Sequence, residues 1–331
     1  MRLALLALAS FFVPAIASAH EVYVLSKTEI ANALITPPFD MLAVVRSDLG
    51  NFAFWGFIAV LVVFGVFFIS ISRTLEKRFD PVLTRGRKYA PLIARVTVGI
   101  SFIAAAYYQA SYGPELPLLP AFGMYTPLIT AVLVVIGLLI IFGIYARVAA
   151  LVALLLFTYA VYRNGMYMLT YTNYLGEILV LLILGSHENL KNKLAPYSFL
   201  LLRVCFGISL FYASIYAKIL HNNLALDVAS MPLGGHMVTI AAALGFEPHF
   251  LVLGAAIIEI VVALFFILGL EIRFTSIFLL FWLSLSLWWF GEVVWPHIIL
   301  IGIPIAFILY GYDQYSLEGR FFKKGKREPV L

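Results

Sequence analysis

The segment Arg95-Val-Thr-Val-Gly-Ile-Ser101 is the most informative in the chain. A similar segment, Arg203-Val-Cys-Phe-Gly-Ile-Ser209, occurs 108 residues later. Two further matches follow in the same order, with offsets of 126 and 115 residues: Gly143-Ile-Tyr-Ala-Arg147 with Gly269-Leu-Glu-Ile-Arg273, and Tyr174-Leu-Gly-Glu-Ile178 with Trp289-Phe-Gly-Glu-Val293. Ordered matches of this kind predict a duplicated structural unit. The offset changes only between matches, so the two copies are expected to differ mainly in their connecting loops.

The composition is that of a membrane protein. Hydrophobic residues make up 63% of the chain and charged residues 12%, and the mean hydropathy is +1.01. Soluble domains carry about 25% charged residues. The pI near 9.2 comes from basic residues that flank apolar segments, a pattern typical of membrane topology determinants. We therefore expect the lipid bilayer as the main partner and no nucleic-acid binding.

The chain has one cysteine, Cys205, which lies in an apolar segment. A single thiol excludes a disulfide within the chain, a Cys-x-x-Cys redox pair and a four-cysteine metal site. Any redox chemistry must then use a bound cofactor, a lipid-soluble carrier or a partner protein.

Residues 1–19 are predicted to be a secretory signal peptide. Arg2 supplies the positive charge, an apolar run follows, and Ala17-Ser18-Ala19 has the small-x-small cleavage pattern. Cleavage there makes His20 the mature N-terminus, and an uncleaved anchor is the alternative.

Either alternative leaves residues 20–51 on the extracytoplasmic side. This segment contains a weak helical stretch around 27–34 and a break at Pro37-Pro38.

Nine further segments are apolar enough, or nearly so, to cross a bilayer, which requires about 20 mostly apolar residues. They lie roughly at 52–72, 90–111, 125–143, 147–162, 169–186, 198–219, 250–269, 273–289 and 291–311. Irregular backbone is not tolerated facing lipid, so each segment should be a helix. The sequence therefore predicts an all-α polytopic membrane protein with about nine transmembrane helices after signal cleavage.

Basic residues set the orientation by the positive-inside rule. They concentrate in the loop after the first helix and in the C-terminal tail: Arg73, Lys77, Arg78, Arg85, Arg87, Lys88, Arg320, Lys323, Lys324, Lys326 and Arg327. The loop from His221 to His249 has no Lys or Arg. We expect an inner (cytoplasmic) membrane protein with an extracytoplasmic mature N-terminus and a cytoplasmic C-terminus.

The sequence matches then define two units of four helices, at residues 90–187 and 198–312. Four is an even number, so both units enter the membrane from the same side and form parallel repeats. The helix at 52–72 is an extra transmembrane helix outside the duplication, and residues 313–331 form a basic cytoplasmic tail.

Acidic residues at membrane depth are the first candidate site, because such groups are costly in the bilayer. Glu177 and Glu292 occupy matched positions in the third sequence match. Glu259 lies in mid-helix, and Lys218 is a candidate cation to pair with it. Structural pairing between helices is the alternative role for all of these carboxyl groups.

Glu259 and Lys218 are specific to the second unit. Their sequence counterparts in the first unit are Leu133 and Ala110. A difference of this kind places the expected activity in the second unit.

Histidines gather on the expected outer side and raise a second hypothesis, since imidazole is the commonest metal ligand. The candidate metal ligands are His20, His221, His236 and His249. No His-Glu-x-x-His spacing is present, so scattered loop histidines remain the alternative.

The second unit resembles the DoxX-like family of four-helix membrane proteins. The resemblance rests on Arg203-Val-Cys-Phe-Gly207, the helix end at Tyr216 and Lys218, the acidic helix with Glu259, and the turn from Gly269 to Arg273. It implies two tandem DoxX-like units over about two-thirds of the chain, the first keeping only the frame. The family includes subunits tied to thiosulfate:quinone oxidation and to thiol or oxidant defence.

The leading hypothesis is a subunit of a membrane redox system that exchanges electrons with quinone on the extracytoplasmic side, served by a redox partner protein. The predicted catalytic residues are Glu259, Lys218, Glu292 and Glu177. The predicted quinone-binding residues are Arg203, Tyr216, His297 and Trp295. The alternatives are a transporter or extracytoplasmic copper-handling protein, with a bound metal or haem, and a non-catalytic membrane scaffold.

Overall fold

The structure is a computed structural model that describes residues 25–185, 188–229, 247–290 and 295–319. Over these residues the chain is built of helices: α1 Lys27–Ile35, α2 Met41–Asp48, α3 Phe52–Gly86, α4 Ala90–Tyr107, α5 Leu118–Phe122, α6 Thr126–Phe142, α7 Ala146–Asn164, α8 Thr172–Leu184, α9 Glu188–Ile215, α10 Asn223–Ala229, α11 Pro248–Leu268, α12 Ile272–Phe290 and α13 His297–Tyr310. The predicted all-α membrane fold is therefore confirmed.

The predicted spans correspond to helices, with shifted ends. Six stretches of the described chain are long and apolar enough to cross a membrane, and Ile272–Leu285 and His297–Tyr310 are apolar but shorter. One stretch, Ala146–Leu184, has 39 residues, which as a single helix would measure about 58 Å. The 3₁₀ turn Gly165–Tyr171, opened by Gly165 at φ 58°, divides it into α7 and α8.

The helices form two halves with the same internal packing. The first half is α4, α6, α7 and α8, and the second is α9, α11, α12 and α13. Within the halves α4 packs on α6 and α9 packs on α11; between them α8 packs on α9 and α13 packs on α4. The last helix of each half thus lies against the first helix of the other.

Glycines make the close crossings within each half. A side chain at Gly99 would lie 2.8 Å from the carbonyl oxygen of Gly137, and one at Gly207 would lie 2.9 Å from that of Ala263. Backbones approach this closely only where a residue has no Cβ. The Gly of each Arg-x-x-x-Gly motif is therefore a helix-crossing point.

The crossings between the halves correct the third sequence match. Gly176 of α8 faces Cys205 of α9, and Gly302 of α13 faces Thr97 of α4. Because Cys205 is the counterpart of Thr97, the contacts pair Gly176 with Gly302, at an offset of 126 rather than 115 residues.

The predicted match of Glu177 with Glu292 is wrong for this reason. Packing places Ile303, a buried apolar residue, at the position of Glu177. Glu292 precedes α13 and lies outside the described residues. The Gly291-Glu292 dipeptide resembles Gly176-Glu177 in sequence, but the helix contacts pair Gly176 with Gly302.

We call the end of the bundle that carries Gly143 and Gly269 the inner end, and the opposite end the outer end. Gly143 and Gly269 end α6 and α11 with φ of 73° and 71°. The residues two places on, Tyr145 and Glu271, share a positive φ of 49° and 44°. The second sequence match thus corresponds to one turn geometry used twice.

The N-terminal segment is attached to the outer end. A capping box of Ser26 and Glu29 starts α1 at the predicted helical stretch. The Asn222 side chain accepts a hydrogen bond from the Phe39 N–H at 3.0 Å and donates one to the Phe39 carbonyl at 2.8 Å. These bonds fix the segment after Pro37-Pro38 against the second half.

Candidate functional site

The centre of the candidate site is an ion pair between the first two helices of the second half. Lys218 Nζ lies 2.9 Å from Glu259 Oε2, and the two side chains are 6% and 19% exposed. The pairing that the sequence suggested is thus present. Glu259 is the more exposed member of the pair.

Lys218 reaches Glu259 from an irregular stretch of backbone. The last residues of the helix, Tyr216–Leu220, form a π turn, in which the His221 N–H donates to the Tyr216 carbonyl at 2.9 Å. π turns of this kind occur frequently at functional sites. The wider turn brings both Tyr216 and Lys218 to the outer end of α9.

Aromatic rings adjoin the ion pair along the chain. The Tyr216 ring lies 4.6 Å from the ring of His221 and 4.8 Å from that of Tyr167, centroid to centroid. Tyr167 belongs to the first half, so Tyr216 joins the two halves at the outer end. Aromatic side chains next to Lys218 in the chain are of the type that lines sites for planar ligands.

The corresponding positions of the first half are apolar and buried. Ala110 is 2% exposed and Leu133 is 3% exposed. Leu133 lies within α6, whereas Ala110 lies beyond the end of α4, in the loop that is bridged to Pro117. The first half therefore packs without an ion pair at these two positions. Since a buried ion pair gives little net stability compared with apolar residues of similar size, packing alone does not account for the pair in the second half.

Arg203 does not belong to this site. Its Nε lies 2.7 Å from Asp313 Oδ2 and its Nη1 donates to the Ile267 carbonyl at 2.8 Å and to the Phe266 carbonyl. It therefore holds the inner end of α11. Lys218 is 15 residues further along the same helix, a distance of about 22 Å.

His297 and Trp295 lie where α13 begins, next to α4. Trp295 stacks on Tyr108 with ring centroids 5.4 Å apart, and His297 is fully buried. These contacts fix the packing of the two halves at the outer end. The structure thus separates the predicted quinone-binding residues into three regions, of which only Tyr216 adjoins the ion pair in the chain.

The predicted metal ligands do not form a described metal site. His249 packs edge-on to Phe39 at 4.4 Å and lies 3.9 Å from Glu247, and His221 contacts Tyr216. Across residues 25–185, 188–229, 247–290 and 295–319, no group of three or more His, Cys, Asp or Glu side chains is placed to hold a metal ion. His20 and His236 lie outside those ranges, so their part of the prediction stays untested.

Glu177 lies in the interior, at the crossing of α8 and α9. It is 0% exposed, and neither carboxyl oxygen has a hydrogen-bond partner among the described residues. It is a second candidate site, separate in position from the ion pair.

A further acidic residue, Glu115, was not recognised from the sequence. Its Oε1 accepts a hydrogen bond from Tyr167 at 2.9 Å and another from Tyr171. It also lines a cavity of about 270 Å³ between the loop after α4, α6 and α7. The signal that could have shown it is that Glu115 is the one acidic residue in the loop between α4 and α5.

Comparison with known proteins identifies a family match within the second half. The DoxX family model matches residues 198–292. The match includes both Lys218 and Glu259, and the chain is DoxX-like over this region. No curated protein and no solved structure matches the chain.

Proposed function

We propose that the DoxX domain at residues 198–292 makes this membrane protein a subunit of a redox system that exchanges electrons with quinone at the outer end of the bundle. The observation that carries the proposal is the Lys218–Glu259 ion pair, which the frame of the first half does without. A charged pair inside a membrane-spanning bundle, with one carboxylate side chain 19% exposed, is a candidate for chemistry.

The residue types fit a quinone ring. Lys218 offers ammonium donors for one ring oxygen, and the Glu259 carboxyl group supplies or accepts a proton at another. Tyr216 adds a flat aromatic surface next to Lys218 in the chain.

The proposed reaction balances with a protein partner as the electron source. Two electrons from an extracytoplasmic redox partner and two protons convert the quinone into quinol. Lys218 transfers one proton from Nζ to a ring oxygen. The Glu259 carboxylate takes up the second proton from water at the outer end and passes it from Oε2 to the other ring oxygen, and Lys218 is then reprotonated from the same water. Removing either residue should therefore slow the proton transfers to the quinone. The transfer of electrons from the partner protein should not depend on either residue.

We also propose that residues 90–187 and 198–312 are two DoxX-like units of one duplicated gene segment. The paired helix contacts, the matched glycine crossings and the two inner turns support this origin. In this proposal the first unit is mainly the structural partner of the second.

The proposed orientation places the outer end outside the cytoplasm of a cell with a cytoplasmic membrane. The basic stretch 73–88 continues α3 toward the inner end, where Arg273 Nη1 bonds Asp80 Oδ1 at 2.7 Å. The N-terminal segment lies at the other end. Signal cleavage before His20 belongs to the same proposal.

The test uses the first half as a template. The double variant Lys218→Ala/Glu259→Leu gives the second half the residues of the first, so it should fold. We expect it to lose at least about tenfold in affinity for decyl-ubiquinone, because a desolvated charged hydrogen bond to a ligand contributes about 1.5–3 kcal/mol. The matched control is Glu247→Gln, whose side chain is 77% exposed. Equal quinone affinity of the wild type and the folded double variant would rule the site out.

A further inference from the structure

The interior of the first half contains a carboxyl group that the proposed quinone site does not use. Glu177 is 0% exposed, and both of its oxygens lack a hydrogen-bond partner in the described part of the chain. Next to it, a side chain at Gly176 would lie 2.8 Å from the Cβ of Cys205. The carboxyl group is therefore buried in the bundle, on the helix that crosses α9 at Gly176.

An ionised carboxylate is strongly disfavoured in such surroundings. Burial of a charge without a cation or a hydrogen-bond donor costs far more than burial of the neutral acid. The packed geometry consequently favours Glu177 with a proton bound. A neutral carboxylic acid is both a donor and an acceptor, so it can pass a proton on.

Two tyrosines connect Glu177 with the outer end. Tyr174 precedes it by three residues in α8, which is a rise of about 4.5 Å, and its ring lies 5.0 Å from that of Tyr112. Both side chains are buried. The Tyr112 hydroxyl has no hydrogen-bond partner among the described residues, and the Tyr174 hydroxyl adjoins the Ser101 side chain. Buried hydroxyl and carboxyl groups of this kind are ordinarily satisfied by internal water.

The line of polar groups ends in the cavity at the outer end. Tyr112 and Glu115 both line this cavity of about 270 Å³. Tyr171, one turn before Tyr174, donates a hydrogen bond to Glu115. A series of hydroxyl and carboxyl groups therefore runs from the cavity to Glu177.

The charged groups on the helices around α8 are engaged elsewhere. On α4 and α7, Arg95 lies against Gly143 and Arg147 against Gly185 at the inner end. Gly185 is eight residues beyond Glu177, about 12 Å along the helix.

The remaining titratable groups lie on α9 and α13. Arg203 of α9 is bound to Asp313, the thiol of Cys205 faces Gly176, and His297 opens α13. The carboxyl group among these residues, Asp313, is paired with Arg203, which leaves Glu177 as the candidate proton-binding carboxyl group in this part of the described chain.

We propose that Glu177 is a buried proton-binding site that exchanges its proton with the outer end through Tyr174 and Tyr112. The site belongs to the first half alone, because Ile303 takes the equivalent position in the second. It does not depend on quinone binding at Lys218 and Glu259, so the two proposals stand or fall separately.

The test is infrared difference spectroscopy of the purified full-length protein in lipid nanodiscs at neutral pH. The wild type minus Glu177→Gln should show the carbonyl band of a protonated carboxylic acid, which shifts on transfer into D₂O. Glu259→Gln, which alters the ion-paired carboxylate, should leave that band in place.

The route is tested by Tyr174→Phe and Tyr112→Phe. Each should slow the D₂O-induced shift by about tenfold or more, since positioned proton carriers contribute factors of this size. These two variants and the wild type suffice if Glu177→Gln does not fold. Absence of a protonated-acid band from the wild type would overturn the proposal, and so would an exchange rate that neither Phe variant changes.

Discussion

Lys218 Nζ and Glu259 Oε2 lie 2.9 Å apart in the second half of the bundle, where the first half has Ala110 and Leu133. One molecule thus contains two related halves, of which only the second has a charged pair at these two sequence positions. The comparison shows what the frame requires for packing, and it leaves the ion pair to be explained by something else.

The first prediction concerns the stability of this pair. Glu259→Leu alone leaves the Lys218 ammonium buried without its carboxylate and should lower the free energy of unfolding by about 3–5 kcal/mol. Lys218→Ala/Glu259→Leu together should be close to neutral, because the first half packs well with these residues. Thermal unfolding in detergent checks both, and a double variant as unstable as the single one would show that the pair is structural.

The second prediction concerns the inner end of α9. Asp313→Asn removes the charge that neutralises Arg203, both side chains being 2% exposed, and should cost about 3–5 kcal/mol. Asp80→Asn is the comparison: its partner Arg273 is 6% exposed, but Asp80 itself is 26% exposed, so water partly replaces the lost carboxylate charge and the cost should be smaller than for Asp313→Asn. The melting temperatures of the two variants decide the point; equal losses would contradict a buried role for Arg203.

The third prediction concerns the crossing of α13 and α4. Gly302→Ala forces a methyl group against Thr97 and should destabilise the protein by about 1–3 kcal/mol through overpacking. Gly65→Ala serves as control, since no atom lies within 4 Å of a side chain there, and it should be neutral or slightly stabilising. If both variants unfold at the wild-type temperature, the two halves do not meet at Gly302.

The fourth prediction concerns the N-terminal segment. Asn222→Ala removes both hydrogen bonds to the Phe39 backbone, each contributing about 1 kcal/mol. We expect faster proteolysis between α1 and α2 with unchanged bundle stability, as measured by limited digestion. Asn164→Ala is the control, because that amide bonds a carbonyl of its own helix. Digestion of Asn222→Ala at the wild-type rate would show that the hydrogen bonds to Phe39 do not hold the N-terminal segment in place.

Much of the fold was predictable from the sequence because the bilayer permits few alternatives. The lengths of the apolar segments predicted the positions of the helices. The Arg-x-x-x-Gly matches correspond to helix crossings and the Gly-to-Arg matches to turns, and the structure shows each of these twice. The approach of Lys218 and Glu259 was also predictable, since a carboxylate in mid-helix requires a partner. Each of these predictions rests on a local sequence pattern that is compatible with only one kind of structure.

The rest depended on contacts between distant segments. Nothing in the residues around Gly302 shows that it crosses α4, so the more similar Gly291-Glu292 dipeptide was matched with Gly176-Glu177 instead. Residues 313–319 were assigned to a basic tail, yet Asp313 is buried against Arg203. The cavity at Glu115 is formed by a loop and two helices. Hydrophobic periodicity predicts each helix separately but does not predict how they are positioned relative to one another.

The most direct test of the central claim is photolabelling of the membrane-embedded protein with an azido-quinone, followed by peptide mass mapping. If quinone binds at the Lys218–Glu259 pair, the label should be found on the π turn Tyr216–Leu220 and on α11 around Glu259. That label should be lost in the folded Lys218→Ala/Glu259→Leu variant and kept in Glu247→Gln. Label confined to other helices, or labelling of the two variants to the same extent, would contradict quinone binding at the Lys218–Glu259 pair.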